Sequence, residues 1–505
     1  MSEHTEKNIA AIDLGTSKMS LTVARANGKD VEIVYYREIP SDGVRYSGVW
    51  NVVKAQEPLK RLIQDAEESL DIKITQAVIG MPKYPVRQET NSGKVMDRGE
   101  DTEITAEDID CLKRFAQETY PLNDPQKEAI YGAVAQSFSD GEYFQLIEND
   151  IVGMTSDTLE GHFKIFIGRK KDLTNADNLL TRVGVSARKK YFTAETTAKA
   201  VLSETEMENG VALIDFGGGS TSVTIYQDSI MRHYASIPFG GKSITHDIKS
   251  ELEITERLAE NIKLAFGACM PDKLQSLSEK VLHIRGNGAE QDKQVAVKYI
   301  SEVITARVEE ILQAILYEIS ESGLAEHLRS GIVVTGGCAQ LPNLGLLIGE
   351  MSGYKVRTGY PSQNFSFFGI DGISDTTATT SLGLIQAALE EEAMNCTSAV
   401  VHHTEVEDAE EPETVVAEET VIPEEVETAE AVYEEETPEA EVTVEEPEQI
   451  QKQDIYYDPE FESQEQKPED SKPLFKKLKI FWGNAVSKFG ELSDKADEMI
   501  DDIAR

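Results

Sequence analysis

The chain has 505 residues, 40% of them hydrophobic, and a formal net charge of −42. That is enough for several domains with ordinary cores, and so acidic a balance argues against nucleic acid as a partner, since phosphate contacts need clustered Lys and Arg. The four cysteines, Cys111, Cys269, Cys338 and Cys396, share neither a zinc-site nor a disulfide spacing, which fits a reducing compartment.

The polar start "MSEHTEKNIAAIDLG" runs straight into a strand and does not read as a secretory signal. From there, "NIAAIDLG", "MSLTVARA", "VEIVYYREI" and "QAVIGMP" are strand-like, and "VVKAQEPLKRLIQDAEESL" carries apolar residues at helical spacing. This alternation predicts an α/β fold. Residues 82–166 differ in texture and read as an inserted subdomain, with a helix opening at Thr105 and Asp108, a capping pair. From 206 the opening pattern returns: "GVALIDFGGGSTSVTIY" repeats the order strand, Asp, glycine turn, hydroxyl residues, strand of "NIAAIDLGTSKMSLTVA". We therefore expect two related lobes, one from residues 8–81 and 167–205, the other from 206–245 and 331–392. A helix-rich insertion takes up 246–330.

Residues 393–472 are expected to form a disordered acidic linker, because 401–470 hold 27 Asp and Glu against two Lys and cannot bury a core. Helical periodicity resumes over 473–503. On an ideal helix Leu474, Phe475, Leu478, Phe481, Trp482, Ala485, Val486 and Phe489 fall within an arc of about 140°, bordered by Lys477, Lys479 and Lys488. Such a stripe suits the surface of an anionic membrane. No apolar run approaches the roughly 20 residues that a spanning helix needs.

The glycine turns carry the chemistry. A strand that ends in Asp and turns through glycine presents bare backbone N–H groups to phosphate oxygens. In "DLGTSK" we assign Asp13 to the water shell of a metal, Gly15 to the turn, and Thr16, Ser17 and Lys18 to phosphate. In "DFGGGST" Asp215 serves the metal, and Gly217, Gly218, Gly219, Ser220 and Thr221 the phosphates. Gly336 and Gly337 in "VVTGG" leave room for an adenosine. Together these imply ATP and Mg2+ held between the lobes.

This constellation resembles the actin, sugar kinase and heat-shock chaperone superfamily, whose fold is a two-lobed, ribonuclease H-like ATPase. Within it, "EITAEDI", "DIVGMTSDTLEGHFKIFIG", "IPFGGKSITHDI", "AENIKLAFG" and "IVVTGGCAQLPNLGLLI" resemble the bacterial cell-division family FtsA over nearly all of residues 8–392. The resemblance implies that Glu260 and Lys263 contact ribose and adenine, and that Arg307, with Lys298 as a weaker candidate, contacts the C-terminal peptide of FtsZ. It also implies self-association into a polymer, later divisome proteins as partners, and a peripheral location on the cytoplasmic side of the membrane at the septum. Two departures stand out. Thr193 occupies the place of the residue that orients the attacking water, and Ser222 replaces a frequent Asp, so slow or negligible turnover is expected. A sugar kinase and a pilus-assembly adaptor are the rival readings, and the basic amphipathic tail fits neither.

Overall fold

Two stretches with the same strand, aspartate and glycine-turn order fold into the same hairpin. In the computed structural model, which describes residues 7–27, 30–284, 293–361, 366–367, 369–390, 394–399 and 442–443, Lys7–Leu14 pairs antiparallel with Lys18–Asn27, Asp13 opposite Ser20. Val211–Phe216 pairs in the same way with Thr221–Gln227, Asp215 opposite Ser222. The first strand of each hairpin is mostly buried and takes a parallel neighbour on its other side, Gln76–Gly80 in one case and Ile332–Thr335 in the other. Burial on both faces is why these strands read as near-continuous apolar runs.

The first hairpin lies inside a six-stranded sheet in the order Ser186–Tyr191, Gln76–Gly80, Lys7–Leu14, Lys18–Asn27, Asp30–Pro40, Ser366–Phe367. The second lies inside a five-stranded sheet in the order Ile230–Ile237, Thr221–Gln227, Val211–Phe216, Ile332–Thr335, Val356–Thr358. Helix Val52–Leu70 starts where the Asn51 side chain accepts a hydrogen bond from the Lys54 N–H, and it buries Ala55, Leu59, Leu62, Ile63 and Ala66 against the first sheet. Over the second sheet lie helices Gly241–Leu252, Glu256–Phe266 and Val297–Glu321.

The stretch with a different texture is a three-stranded antiparallel sheet, Val86–Glu103, Thr155–Arg169 and Glu128–Ser139, the second of these central. Helix Ala106–Glu118 covers it. The cap is as expected: Thr105 and Asp108 form a complete capping box. The Arg98 guanidinium fastens this helix start to the sheet, donating to the carbonyls of Thr102, Glu103 and Ser156 and to Asp108. The long strands themselves escape sequence reading. Val86–Glu103 is an edge strand of mostly polar residues, and only Leu159, Phe163, Ile165 and Ile167 on the central strand alternate as a half-buried strand should.

The expected lobe boundaries need three corrections. Helix Thr379–Leu389, assigned with 331–392 to the second lobe, is buried in the core of the first sheet, as is Ala378. It is buried nearly all round and its polar residues are scattered over several faces, so no stripe says which sheet it covers. Helix Thr193–Val201, assigned to the first lobe, packs with Val211, Leu213 and Val333 of the second sheet. These two helices press together where Gly383 meets the Thr196 carbonyl, too closely for a Cβ. The acidic linker also begins later than 393. Met394 and Cys396 are buried in the first core, and Thr397–Ala399 pairs with Ile72–Ile74. Val442–Thr443 pairs with Val281–Ile284. The amphipathic stretch 473–503 lies outside the described residues.

A third apolar cluster joins all three parts. Phe166 of the inserted sheet stacks on Phe192 with ring centroids 4.8 Å apart and meets Tyr234 of the second sheet edge-on at 6.2 Å. Because the Phe166 ring is fully buried, Phe166→Ala is expected to lower the unfolding free energy by about 3–5 kcal/mol. Urea denaturation followed by tyrosine and tryptophan fluorescence measures this, and a change under about 1 kcal/mol would mean the cluster does not join the parts.

Candidate functional site

Four central strands end on one cleft. Lys7–Leu14 delivers Asp13, Val211–Phe216 delivers Asp215, Ile332–Thr335 delivers Gly336, and Gln76–Gly80 leads to Lys83. The carboxyl ends of strands are where open α/β sheets take their ligands.

Across this cleft the two glycine turns touch. A Cβ on Gly219 would stand 2.6 Å from the Thr16 side chain, and one on Gly218 would stand 2.9 Å from Ser17 Cβ. The second turn is fixed from behind by helix Gly241–Leu252, whose Gly241 and Lys242 N–H groups donate to the carbonyls of Gly217 and Gly218 at 3.0 and 2.7 Å. In a planar trans peptide the N–H points opposite to the C=O. The Gly218 and Gly219 N–H groups therefore face away from the helix, as phosphate donors must. Ser220 closes the turn by accepting from the Gly217 N–H at 3.0 Å, and Thr221 donates its hydroxyl to the Phe239 carbonyl at 2.8 Å.

In the first turn Gly15 is required because a Cβ would stand 2.5 Å from the Lys18 carbonyl. Thr16 is buried and its hydroxyl accepts from the Ser47 N–H at 3.0 Å, whereas Ser17 is exposed. Lys18 is not free: its ammonium pairs with Glu38, which also accepts from the Tyr36 hydroxyl. Burial pulls the Lys18 ammonium below its ordinary range, while Glu38 and Asp13 oppose that pull.

A residue that sequence reasoning missed stands at the centre. The Lys83 ammonium pairs with Asp215 and donates to the Thr380 hydroxyl at 3.3 Å, with its side chain only 11% exposed. Burial alone would depress its pKa, but the Asp215 and Asp13 carboxylates outweigh burial and hold it above the ordinary lysine value. Asp13 is held above the usual carboxylate range by desolvation, against the pull of Lys83 and Lys18. "MPKYPVR" gave no motif to flag this lysine. The one available signal was its place just beyond the end of a buried parallel strand.

Other expected residues sit differently. Lys263 is buried behind the second turn, and its ammonium donates to the Gly241 carbonyl at 3.0 Å, Thr245 Oγ1 at 2.8 Å and Glu260 Oε2 at 2.8 Å. Three protein acceptors thus use its three protons. Gly336 adopts φ +88°, and its missing Cβ makes room for Asp215 Oδ1 at 2.6 Å, whereas Gly337 is exposed. Beneath Gly217, Cys338 is buried, and burial raises its thiol to about 11. The Thr193 hydroxyl donates to the Met81 carbonyl and is buried, while the Tyr226 phenol is pushed up by burial and, after that, by the charge of Glu195. Arg307 and Lys298 stand apart from the cleft. Arg307 pairs with Asp247 and Glu310 beside a groove of about 460 Å3, and Lys298 pairs with Asp272 at 3.3 Å.

Comparison with known proteins agrees with this architecture. The family model "Cell division protein FtsA" matches residues 212–383. The chain is 30% identical over 392 residues to the cell division protein FtsA of Neisseria meningitidis serogroup B, covering 76% of this chain and 91% of that one. To the protein of the same name from Borreliella burgdorferi it is 30% identical over 393 residues, 77% of this chain and 92% of the relative. Among solved structures, the PilM-PilN type IV pilus biogenesis complex aligns with a TM-score of 0.53 at 12% identity, over 75% of this chain and 98% of that one. That last likeness concerns the fold.

Gly336→Ala tests how tightly the cleft is built. The left-handed backbone and the close approach to Asp215 together are expected to cost at least about 1–2 kcal/mol of stability, read as a lowered urea midpoint. An unchanged midpoint would show that Asp215 is not held against this backbone.

Proposed function

The chain belongs to the FtsA family of cell division proteins, and from that premise we propose that it is an actin-like, ATP-binding protein that polymerises at the cytoplasmic face of the membrane. There it anchors FtsZ filaments at the septum through its C-terminal helix and helps to recruit later divisome proteins. The observation that carries the nucleotide part is the contact of two glycine turns of equal register at the ends of four central strands.

ATP would lie with its phosphates against Thr16, Ser17 and Lys18 on one side and Gly217 to Thr221 on the other. Asp13 and Asp215 suit Mg2+, a hard ion that keeps several waters and needs one or two carboxylates rather than a full protein cage. Among the described residues no group of three or more His, Cys, Asp or Glu forms such a cage. When bound, the ion would neutralise phosphate charge. Gly336 and Gly337 leave space for the nucleoside. Glu260 and Lys263 support the second turn from behind, so contact with ribose or adenine would require their pair to open.

Turnover is expected to be slow. The hydroxyl of Thr193 is spent on a carbonyl and cannot act as a general base, and Glu195 lies toward Tyr226. Steady-state phosphate release should stay well below the ~1 s−1 that marks the low end of ordinary enzymes. Fast release that Asp215→Ala abolishes would overturn this reading.

The groove beside Arg307 is lined by Asp247, Glu251, Glu302 and Glu310 as well. Its balance is acidic, so the FtsZ tail would dock through basic residues, with Arg307 holding a carboxylate once its own partners yield. Lys298 is tied to Asp272 at the exposed margin. Leu474, Phe475, Leu478, Phe481, Trp482, Val486 and Phe489, flanked by Lys477, Lys479 and Lys488, would lie in the headgroup layer. Each helix would hold reversibly, and a polymer would multiply the attachment.

Co-sedimentation with anionic vesicles in the presence of ATP and the FtsZ tail peptide tests these contacts together. Full-length protein should pellet with the peptide. A truncation after Pro473 should lose the vesicles, and Arg307→Glu should lose the peptide alone. Vesicle binding by the truncated chain, or unchanged peptide binding by Arg307→Glu, removes the corresponding contact from the proposal.

A further inference from the structure

Lys83 belongs to no glycine turn, yet its ammonium is the charge that faces both aspartates. It pairs with Asp215 of the second lobe, donates to Thr380 on the helix that crosses into the first, and acts electrostatically on Asp13. Its backbone is pinned as well, because the Tyr234 hydroxyl donates to the Lys83 carbonyl at 2.6 Å. Lys18, the other ammonium of the cleft, is engaged by Glu38.

We propose that Lys83 is a built-in cation of the nucleotide site, neutralising the two aspartates itself when no divalent ion is bound and turning to the terminal phosphates when one is, so that triphosphate binding survives removal of the divalent ion. The inference rests on the nucleotide reading above. Its chemistry is competition. A divalent ion on Asp13 and Asp215 releases the Lys83 ammonium, whose nearest new acceptors are phosphate oxygens. With no divalent ion, Lys83 stays between the carboxylates and keeps them from repelling the triphosphate. Lys83 thus acts as a positioning residue for the ligand.

The test is the affinity of the full chain for ATPγS, by calorimetry or a fluorescent analogue, in Mg2+ and in EDTA. Wild-type protein is expected to lose about tenfold or less on EDTA. Lys83→Met is expected to widen the ratio between the two conditions by a further factor of about ten or more, and Lys83→Arg to return it to near the wild-type ratio. Because each ratio is taken within one variant, a general loss of stability does not enter it. Should Lys83→Met not fold, the wild-type measurement still decides: a loss above about a hundredfold on EDTA overturns the proposal. Equal ratios in wild type and Lys83→Met overturn it too. Absence of binding even in Mg2+ overturns the nucleotide reading and this inference with it, whereas binding in Mg2+ with the same EDTA dependence in wild type and Lys83→Met overturns this inference alone.

Discussion

The two turns can meet in this cleft only because side chains are missing from one of them. Gly218 and Gly219 lie against Ser17 and Thr16 with no space for a Cβ, and each glycine costs roughly 0.5–1 kcal/mol of conformational entropy relative to alanine. Three in succession are therefore expensive, and nothing in a hairpin requires them. The cost is offset by what the turn does: it lets the side chains of the first turn close onto its backbone and leaves two N–H groups directed away from the helix that holds the turn. The rest of the site follows from that contact, since Asp13 and Asp215 sit one strand end away from it on opposite sheets.

Charge sets the second constraint. Asp13, Asp215 and Glu38 face Lys18 and Lys83, and these five groups act on one another. An ion pair as dry as Lys83 and Asp215 gains little net stability, since desolvation consumes most of the Coulomb attraction, but removing one partner alone is costly. The pair is thus better understood as holding the lobes in register than as adding stability. The balance of the five groups is slightly negative, so a triphosphate cannot enter on their account alone. On the proposed nucleotide reading a triphosphate would need a cation or the release of an ammonium already present, which would place a divalent ion and Lys83 in the same electrostatic role.

Much of this was legible in the chain. The shared order of "IDLGTS" and "IDFGGGS", strand, Asp, glycine turn and hydroxyls, predicts related hairpins, and the structure gives them the same register down to Asp opposite Ser. The capping box at Thr105 was legible because its chemistry is local. What was not legible depends on partners distant in sequence. Helix Thr379–Leu389 has no polar face of its own, its threonines, serine and glutamine being scattered around it, so its sequence does not say which sheet buries it. Met394 and Cys396 looked like the start of a solvated linker, yet the Cys396 N–H donates to the Asn8 carbonyl and completes the first core. Lys83 carries no motif because its meaning lies in Asp215, 132 positions away. The family resemblance implies ligand contacts for Glu260 and Lys263, and only the fold reveals that the Lys263 ammonium also has three protein oxygens within reach.

The two crossing helices and Lys83 bind the site to the remainder of the fold in a definite way. Thr193–Val201 lies under the second sheet and Thr379–Leu389 under the first, so the lobes cannot separate without shearing the contact at Gly383 and Thr196. The hydroxyls of Thr197 and Thr380 meet at that crossing, 3.4 Å apart, and Thr380 is the same hydroxyl that receives Lys83. Three residues after Lys83 the first strand of the inserted sheet begins at Val86, a reach of at most about 11 Å along an extended chain. Tyr234 grips the carbonyl between them and packs its ring on Phe166 and Phe192. The cleft, the helix crossing and the root of the inserted sheet therefore share side chains rather than merely adjoining. The side chain and the backbone of Lys83 thus tie Asp215 in the cleft to the start of the inserted sheet within a few residues.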